Sequence, residues 1–128
     1  ITSKKSIEEA LKKIKNQFGI PDILINNAGL DSPPSSSGSD TGAFEDYPEA
    51  SWDKVIDVNL KGVFLCCQVF GKAMTIKKSG SIINIASIYG LVSPDQNIYK
   101  YKNTNGNIFY KPVAYSASKS GVWSNSSL

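Results

Sequence analysis

The chain has no histidine. That excludes a Ser-His-Asp triad, a Cys-His pair and every His-ligated zinc site, so proton chemistry here must use Tyr, Lys, Asp, Glu or Cys. Cysteine is nearly as scarce: the two present, Cys66 and Cys67, are adjacent. Such neighbours rarely bridge each other, so no disulfide framework is expected, and reduced thiols suit a cytoplasmic location. Long apolar runs are missing too. The stretch from Val63 to Met74 is interrupted by Gln68 and Lys72, which leaves it too short and too polar for a membrane span. Ile1 leads straight into a polar helix start, with no signal-peptide pattern before it. Basic blocks are also absent. The net charge of +3 comes from lysines spread along the chain, which argues against dedicated nucleic-acid binding and leaves a mild attraction for anionic ligands.

The 128 residues, 41% of them hydrophobic and 20% charged, suit one modest globular domain. Ser3 or Ser6 can cap a first helix, and Ser6 with Glu9 fits a capping box. Ile7, Leu11, Ile14 and Phe18 recur at helical spacing, while Glu8–Lys12 and Glu9–Lys13 are favourable pairs on the wet side. Gly19 and Pro21 end that helix. Asp22 to Asn26 then reads as a short strand buried on both faces, as in a parallel sheet. Residues 31–43 are rich in Ser, Pro, Gly and Asp and form a loop.

A long helical region follows, with Pro48 in its first turn and a bend or split near Asn59. Its apolar face comprises Trp52, Val55, Ile56, Leu60, Val63, Phe64, Cys67 and Met74. Lys77, Lys78 and Gly80 close it. Ser81 to Ser87 is a second buried strand. Between Gly90 and Pro112 the periodicity is lost, and a loop of that length without structure of its own is usually functional or disordered. A last helix starts near Val113. Helix, strand, helix, strand is α/β alternation with right-handed crossovers.

Two short stretches carry chemistry. Tyr115-Ser-Ala-Ser-Lys119 places a phenol and an ammonium one helical turn apart on the same face. A cation held there favours the phenolate, which makes a tyrosine useful as an acid or base. Asn26-Asn27-Ala28-Gly29 closes the first strand, and Ser87 closes the second. In an open parallel sheet, ligands bind outside the carboxyl ends of the strands, so these three stretches converge on one crevice.

In this order the motifs resemble the classical short-chain dehydrogenase/reductase family. They are Asp22-Ile-Leu-Ile-Asn-Asn-Ala-Gly29, Trp52 followed by Asp57-Val-Asn59-Leu-Lys-Gly-Val-Phe64, Gly80-Ser-Ile-Ile-Asn-Ile-Ala-Ser87, Gly90, and Tyr115-Ser-Ala-Ser-Lys119-Ser-Gly121. The resemblance implies a Rossmann-like, doubly wound parallel sheet in a three-layer α/β/α arrangement. It also implies hydride transfer between NAD or NADP and a small-molecule alcohol or carbonyl substrate. Tyr115 is then the general acid/base. Lys119 favours its ionisation and holds the nicotinamide ribose. Ser87 bonds the substrate oxygen, where charge develops. Asn59 holds a water in a proton relay from Lys119. Asn26, Ala28 and Gly29 line the adenosine side of the cofactor. A cytoplasmic homodimer or homotetramer, without nucleic acid, membrane or metal, is the accompanying expectation.

Each position also has a structural alternative. Asn59 could satisfy backbone at a helix bend, Ser87 could be an ordinary strand-end serine, and Asn26 could tie neighbouring strands together. Cys66 and Cys67 read as helix packing.

The sequence also departs from the family pattern. The glycine-rich phosphate turn that opens the family's fold, and the residue that selects NAD or NADP, are not in this chain. The helix after Gly121 does not continue as an apolar one. Residues 1–128 therefore read as the central part of a single domain, a partial sheet lacking the N-terminal phosphate-binding unit and the C-terminal strands. The Ser87–Tyr115 spacing is longer than the family's, through an insertion over Ser93 to Lys111 whose tyrosines, asparagines and lysines suit a polar, sugar-like or anionic substrate. Two rival readings stand beside the oxidoreductase. One is a catalytically inert truncated fragment with only a dimerising or partner-binding role. The other is a sugar-nucleotide epimerase of the extended group, which shares Tyr-x-x-x-Lys but not the Asn-Asn-Ala-Gly and Asn59 motifs.

Overall fold

The computed structural model describes residues 1–31, 42–103, 106 and 108–124. Most of the expected 31–43 loop and the last four residues lie outside that set. Helix α1 (Lys4–Phe18) leads into β1 (Ile23–Asn26). Helix α2 (Glu49–Ile56) continues through a π-helical turn (Asp57–Lys61) into α3 (Gly62–Lys77), followed by β2 (Ser81–Asn84). Two 3₁₀ turns (Ile88–Gly90 and Gln96–Lys102) precede α4 (Val113–Ser124). The strands pair in parallel, with Ile23 opposite Ser81 and Asn26 opposite Asn84.

Local chemistry sets these boundaries. Ser3 rather than Ser6 caps α1, its hydroxyl accepting from the Ser6 amide at 3.4 Å. Gly19 ends that helix at φ 87°, a conformation that favours glycine. Pro48 opens α2, and its carbonyl accepts from the amides of Ser51 and Trp52, each at 3.0 Å. The bend expected near Asn59 is the π-turn itself, in which one extra residue is accommodated without breaking the helix.

Ile7 of α1 packs on Leu65, Cys66 and Val69 of α3, with Leu11, Leu24 and Phe70 at the margin. This corrects two expectations. Phe18 completes the helical stripe in sequence but is 80% exposed, since the cluster takes Ile7 and Leu11 from α1 and does not extend to its last residue. Phe64 and Trp52 are also largely outside the core, whereas Leu65, Cys66 and Val69 are in it. Helix α3 is apolar on nearly every side, so periodicity could not select its buried face.

The strands differ from expectation as well. β2 stops at Asn84, and Ile85 continues the ladder by a single bond from its amide to the Asn26 carbonyl at 3.0 Å. Leu24 faces the α1–α3 cluster. Ile23 and Ile25, each 59% exposed, and Ile83 at 44% lie on strands expected to be buried on both faces. Among the described residues, helices α1 and α3 cover one face of the sheet, and none supplies the layer on the other. The chain is α/β with a parallel sheet, a partial form of the doubly wound arrangement.

Helix α4 is held close to the strand exits by its contact with the Ile88–Gly90 turn. A Cβ at Gly90 would lie 2.7 Å from the Lys119 carbonyl carbon and oxygen and 2.9 Å from the Ser120 nitrogen. Only glycine allows backbone to meet backbone at that distance. The Ser120 hydroxyl secures the contact by donating to the Gly90 carbonyl at 2.7 Å.

Candidate active site

Tyr115 and Lys119 share a face of α4, the Lys119 ammonium lying 5.9 Å from the Tyr115 ring centroid. Lys119 is 6% exposed, and its Nζ donates to the Ile85 carbonyl at 2.6 Å. Ile85 directly follows β2, so this bond fixes the ammonium at the carboxyl end of the sheet. Burial pushes the Lys119 ammonium below the ordinary lysine value, since low-dielectric surroundings disfavour the charged form.

Asn59 reaches the same place from the π-turn and is 1% exposed. Its Oδ1 accepts from the Leu30 amide at 2.6 Å. Its Nδ2 donates to the Leu30 carbonyl at 2.8 Å and to Ser118 Oγ at 3.0 Å. The Ser118 hydroxyl in turn donates to the Tyr115 carbonyl at 2.8 Å. Asn59 therefore satisfies backbone, as its structural alternative held, but the backbone belongs to the segment after Gly29 rather than to its own helix. Ser118 was not singled out from sequence. Its position inside Tyr-x-x-x-Lys, one turn from Asn59's reach, is the signal that could have found it.

Gly29 closes the group. A Cβ there would lie 3.4 Å from Asn59 Oδ1 and 3.8 Å from Lys119 Nζ. Gly29, Asn59 and Lys119 thus meet, although they come from three separate elements. Ala28 and Gly29 are exposed, and the Lys119 ammonium keeps donors beyond the one spent on Ile85. Exposed small residues beside a fixed ammonium form a surface that a hydroxylated ligand can approach closely.

Asn26 and Ser87 are placed differently. Asn26 Nδ2 donates to Asn84 Oδ1 at 2.8 Å and to Cys67 Sγ at 3.3 Å, tying β1 to β2 and to α3. Ser87 caps the Ile88–Gly90 turn, its Oγ accepting from the Tyr89 amide at 3.2 Å. That leaves the hydroxyl proton of Ser87 for another acceptor. Cys66 is buried and Cys67 half-buried. Burial raises both thiols above the ordinary cysteine value, which suits packing rather than nucleophilic chemistry.

The inserted stretch has structure of its own among its described residues. The Tyr89 and Tyr99 hydroxyls bond at 2.7 Å. Burial, followed by that bond, pushes Tyr99 up to about 12. Gln96 Oε1 accepts from the Lys111 amide at 2.8 Å. Lys111 itself was not singled out from sequence. Its ammonium lies 4.7 Å from the Tyr115 ring centroid and forms an ion pair with Asp31.

A groove of about 880 Å³ lies between α3 and β2, lined by Phe64, Cys67, Met74 and Ile82 among others. It holds none of Tyr115, Lys119, Asn59 and Ser87, and its chemistry is mainly apolar. Among the described residues, no group of three or more His, Cys, Asp or Glu could hold a metal ion, and no helix is long and apolar enough to cross a membrane.

The family model described as short chain dehydrogenase matches residues 1–126. The chain is 35% identical over 122 residues to the NAD-dependent glycerol dehydrogenase of Listeria innocua, covering 95% of this chain and 39% of that protein. It is 39% identical over 94 residues to the 3-oxoacyl-(acyl-carrier-protein) reductase FabG of Staphylococcus epidermidis, covering 73% of this chain and 35% of that protein. The crystal structure of levodione reductase superposes with a TM-score of 0.76 at 26% identity, over 97% of this chain and 40% of that one. The chain thus spans under half the length of these relatives. With the motifs in order, the Tyr115–Lys119 helix docked at the strand exits and a match over nearly its whole length, the chain belongs to the short-chain dehydrogenase/reductase family.

Proposed function

We propose that the protein carrying this chain is an NAD(P)-dependent oxidoreductase acting on a small alcohol or carbonyl compound, and that Asn59, Ser87, Tyr115 and Lys119 perform its chemistry. The observation that carries the proposal is the Lys119 ammonium. It is buried, pinned to Ile85 and one turn from Tyr115, at the carboxyl end of a parallel sheet. Burying a lysine is costly, and a merely structural role does not require its placement beside a phenol at the strand exits.

The nicotinamide cofactor supplies or accepts the hydride when bound. Tyr115 gives its phenolic proton to the carbonyl oxygen during reduction and takes it back during oxidation. Ser87 keeps its hydroxyl proton and uses it to hydrogen-bond that oxygen, holding it in place. Lys119 holds the ribose hydroxyls with the donors not spent on Ile85, and its ammonium stands one helical turn from Tyr115, 5.9 Å from the ring centroid. Ala28 and Gly29 line the adenosine side. Asn26 serves the cofactor site by anchoring the end of β1, because its carboxamide is committed to Asn84 and Cys67. Asn59 joins the relay from Lys119 to solvent. With its carboxamide committed to Leu30 and Ser118, the relay water meets its main-chain carbonyl in the π-turn.

The tyrosines and lysines of the inserted stretch support a polar, sugar-like substrate. Exposed Phe64 on α3 and Trp123 on α4 support a homodimer or homotetramer joined through those helices, and the free thiols of Cys66 and Cys67 support a cytoplasmic location. One observation favours the second reading, that these 128 residues alone are inert: the uncovered isoleucine face of the sheet.

The test is hydride transfer by the full-length protein, followed through the absorbance of the reduced nicotinamide with NAD and NADP in turn. Polyols and 3-oxoacyl thioesters serve as probes. Turnover that disappears in Tyr115→Phe while cofactor binding persists supports the proposal. Equal turnover in the variant overturns it.

A further inference from the structure

Lys111 lies where three separate parts of the chain meet. It ends the inserted stretch, immediately before Pro112 and α4. Its ammonium pairs with Asp31, in the segment that follows Asn26–Gly29. The same ammonium lies over the Tyr115 ring, 4.7 Å from the centroid, closer than Lys119 at 5.9 Å. The Lys111 side chain is only 13% exposed, against 51% for Asp31. A lysine this covered, spanning from one strand exit to the other, is unusual for a loop residue.

The stretch behind it is braced. The Lys111 amide donates to Gln96 Oε1 at 2.8 Å, and the Phe109 amide to Asn103 Oδ1 at 2.9 Å. The Tyr99 and Phe109 rings pack at 5.6 Å, with the Lys102 ammonium 4.5 Å over Phe109. The Tyr89–Tyr99 hydroxyl bond joins this unit to the Ile88–Gly90 turn, which packs directly on α4. The Gln96–Lys102 turn and residues 108–111 therefore act as one body, and Lys111 is its only ion pair to the other side of the cleft among the described residues.

We propose that Lys111 is a positioning residue for Tyr115. Its ammonium fixes the Tyr115 ring from above and, through Asp31, clasps the inserted stretch across the cleft as a wall of the substrate site. The inference rests on the oxidoreductase proposal for its meaning in turnover. The clasp itself is tested separately from that proposal.

The experiment measures amide hydrogen exchange by mass spectrometry on the full-length protein, wild type beside Lys111→Met, Lys111→Arg and Asp31→Asn. Losing an ion pair together with a cation–π contact corresponds to about tenfold in a local opening equilibrium. Lys111→Met is expected to raise exchange by about that factor in peptides covering 96–103 and 108–116, leaving α1 unchanged. Asp31→Asn is expected to open 96–103 to a smaller extent. Lys111→Arg is expected to match wild type, since a guanidinium can make both contacts. In steady-state assays with polyol probes, kcat of Lys111→Met is expected to fall while the KM for the nicotinamide cofactor does not move, and Lys111→Arg is expected to restore kcat. Unchanged exchange in both Lys111→Met and Asp31→Asn, or exchange in Lys111→Arg as fast as in Lys111→Met, overturns the inference. If wild type turns over none of the probes, the oxidoreductase proposal fails on that count while the exchange data still decide the clasp.

Discussion

The carboxamide of Asn59 holds both main-chain polar groups of Leu30, accepting from its amide at 2.6 Å and donating to its carbonyl at 2.8 Å. One side chain on a helix thereby fixes the path of the segment leaving β1. The third bond, to Ser118, extends that hold to α4, so one residue links the segment after Gly29 to the Tyr115 helix. Asn59→Ala removes three hydrogen bonds and strands polar groups at a site that water scarcely reaches. A stability loss of about 3 kcal/mol is expected, checked by denaturant unfolding of the full-length protein. A loss below about 0.5 kcal/mol would show that Leu30 finds other partners.

Tyr115→Phe deletes one oxygen and leaves the ring under Lys111 and beside Lys119. Turnover is expected to fall by about a hundred- to ten-thousand-fold. Cofactor affinity, measured by the change in reduced-nicotinamide fluorescence, is expected to stay within about threefold, because in the proposed mechanism the phenol contributes one hydrogen bond among several to the ligand. A parallel loss of affinity would assign Tyr115 to binding rather than to proton transfer.

Lys119 gives a prediction in pH. Its native value lies below the ordinary lysine value of 10.5, through burial. Between the lowered native value and 10.5 the unfolded chain binds a proton that the native chain does not. Stability contributed by this residue therefore rises with pH across that window, and the cost of the buried ammonium is fully present below it. Lys119→Met removes this dependence. Comparing wild type and variant by denaturant unfolding on both sides of the window isolates the term. Parallel curves would mean that the ammonium is not desolvated.

Gly90→Ala places a methyl group 2.7 Å from the Lys119 carbonyl, where backbone has no room to give way. A destabilisation of about 1–3 kcal/mol is expected. It should come with a fall in turnover, since α4 must shift away from the strand exits. Wild-type behaviour would show that the turn moves independently of α4.

The 128 residues expressed alone present Ile23, Ile25, Ile83 and Ile85 on a bare sheet face and leave strand edges unpaired. A broad, non-cooperative thermal transition and cofactor binding too weak to saturate are expected. A sharp melt with micromolar affinity would show that this segment is self-sufficient.

Much of this was legible in the sequence, for physical reasons that differ by element. Gly19, Pro48 and Gly80 punctuate the chain by backbone chemistry, so the helices fall where those residues allow. The Tyr115–Lys119 pair was readable because its spacing alone fixes a shared helix face. The buried side of α3 was not readable, because a helix apolar all round carries no directional signal. Phe18 and the strand isoleucines misled for a related reason: apolar residues report a tendency to be covered, not whether a cover is present. Asn59, Ser118 and Lys111 meet partners far away in sequence, at Leu30, at one another's helices and at Asp31, and no local pattern encodes such pairings.

The π-turn at Asp57–Lys61 has a consequence for how this gene can change. It holds one residue more than an α-helical turn, and an in-frame loss of a single codon there would let the segment relax into ordinary helix. The product would look intact by length and helical content. Because the π-turn absorbs its extra residue locally, α3 would keep its rotation relative to α2, so Leu65, Cys66 and Val69 would still face α1 while Asn59 would be re-aimed away from Leu30 and Ser118. A three-base deletion that is harmless in most helix ends would here separate the packing of the domain from the geometry of its cleft.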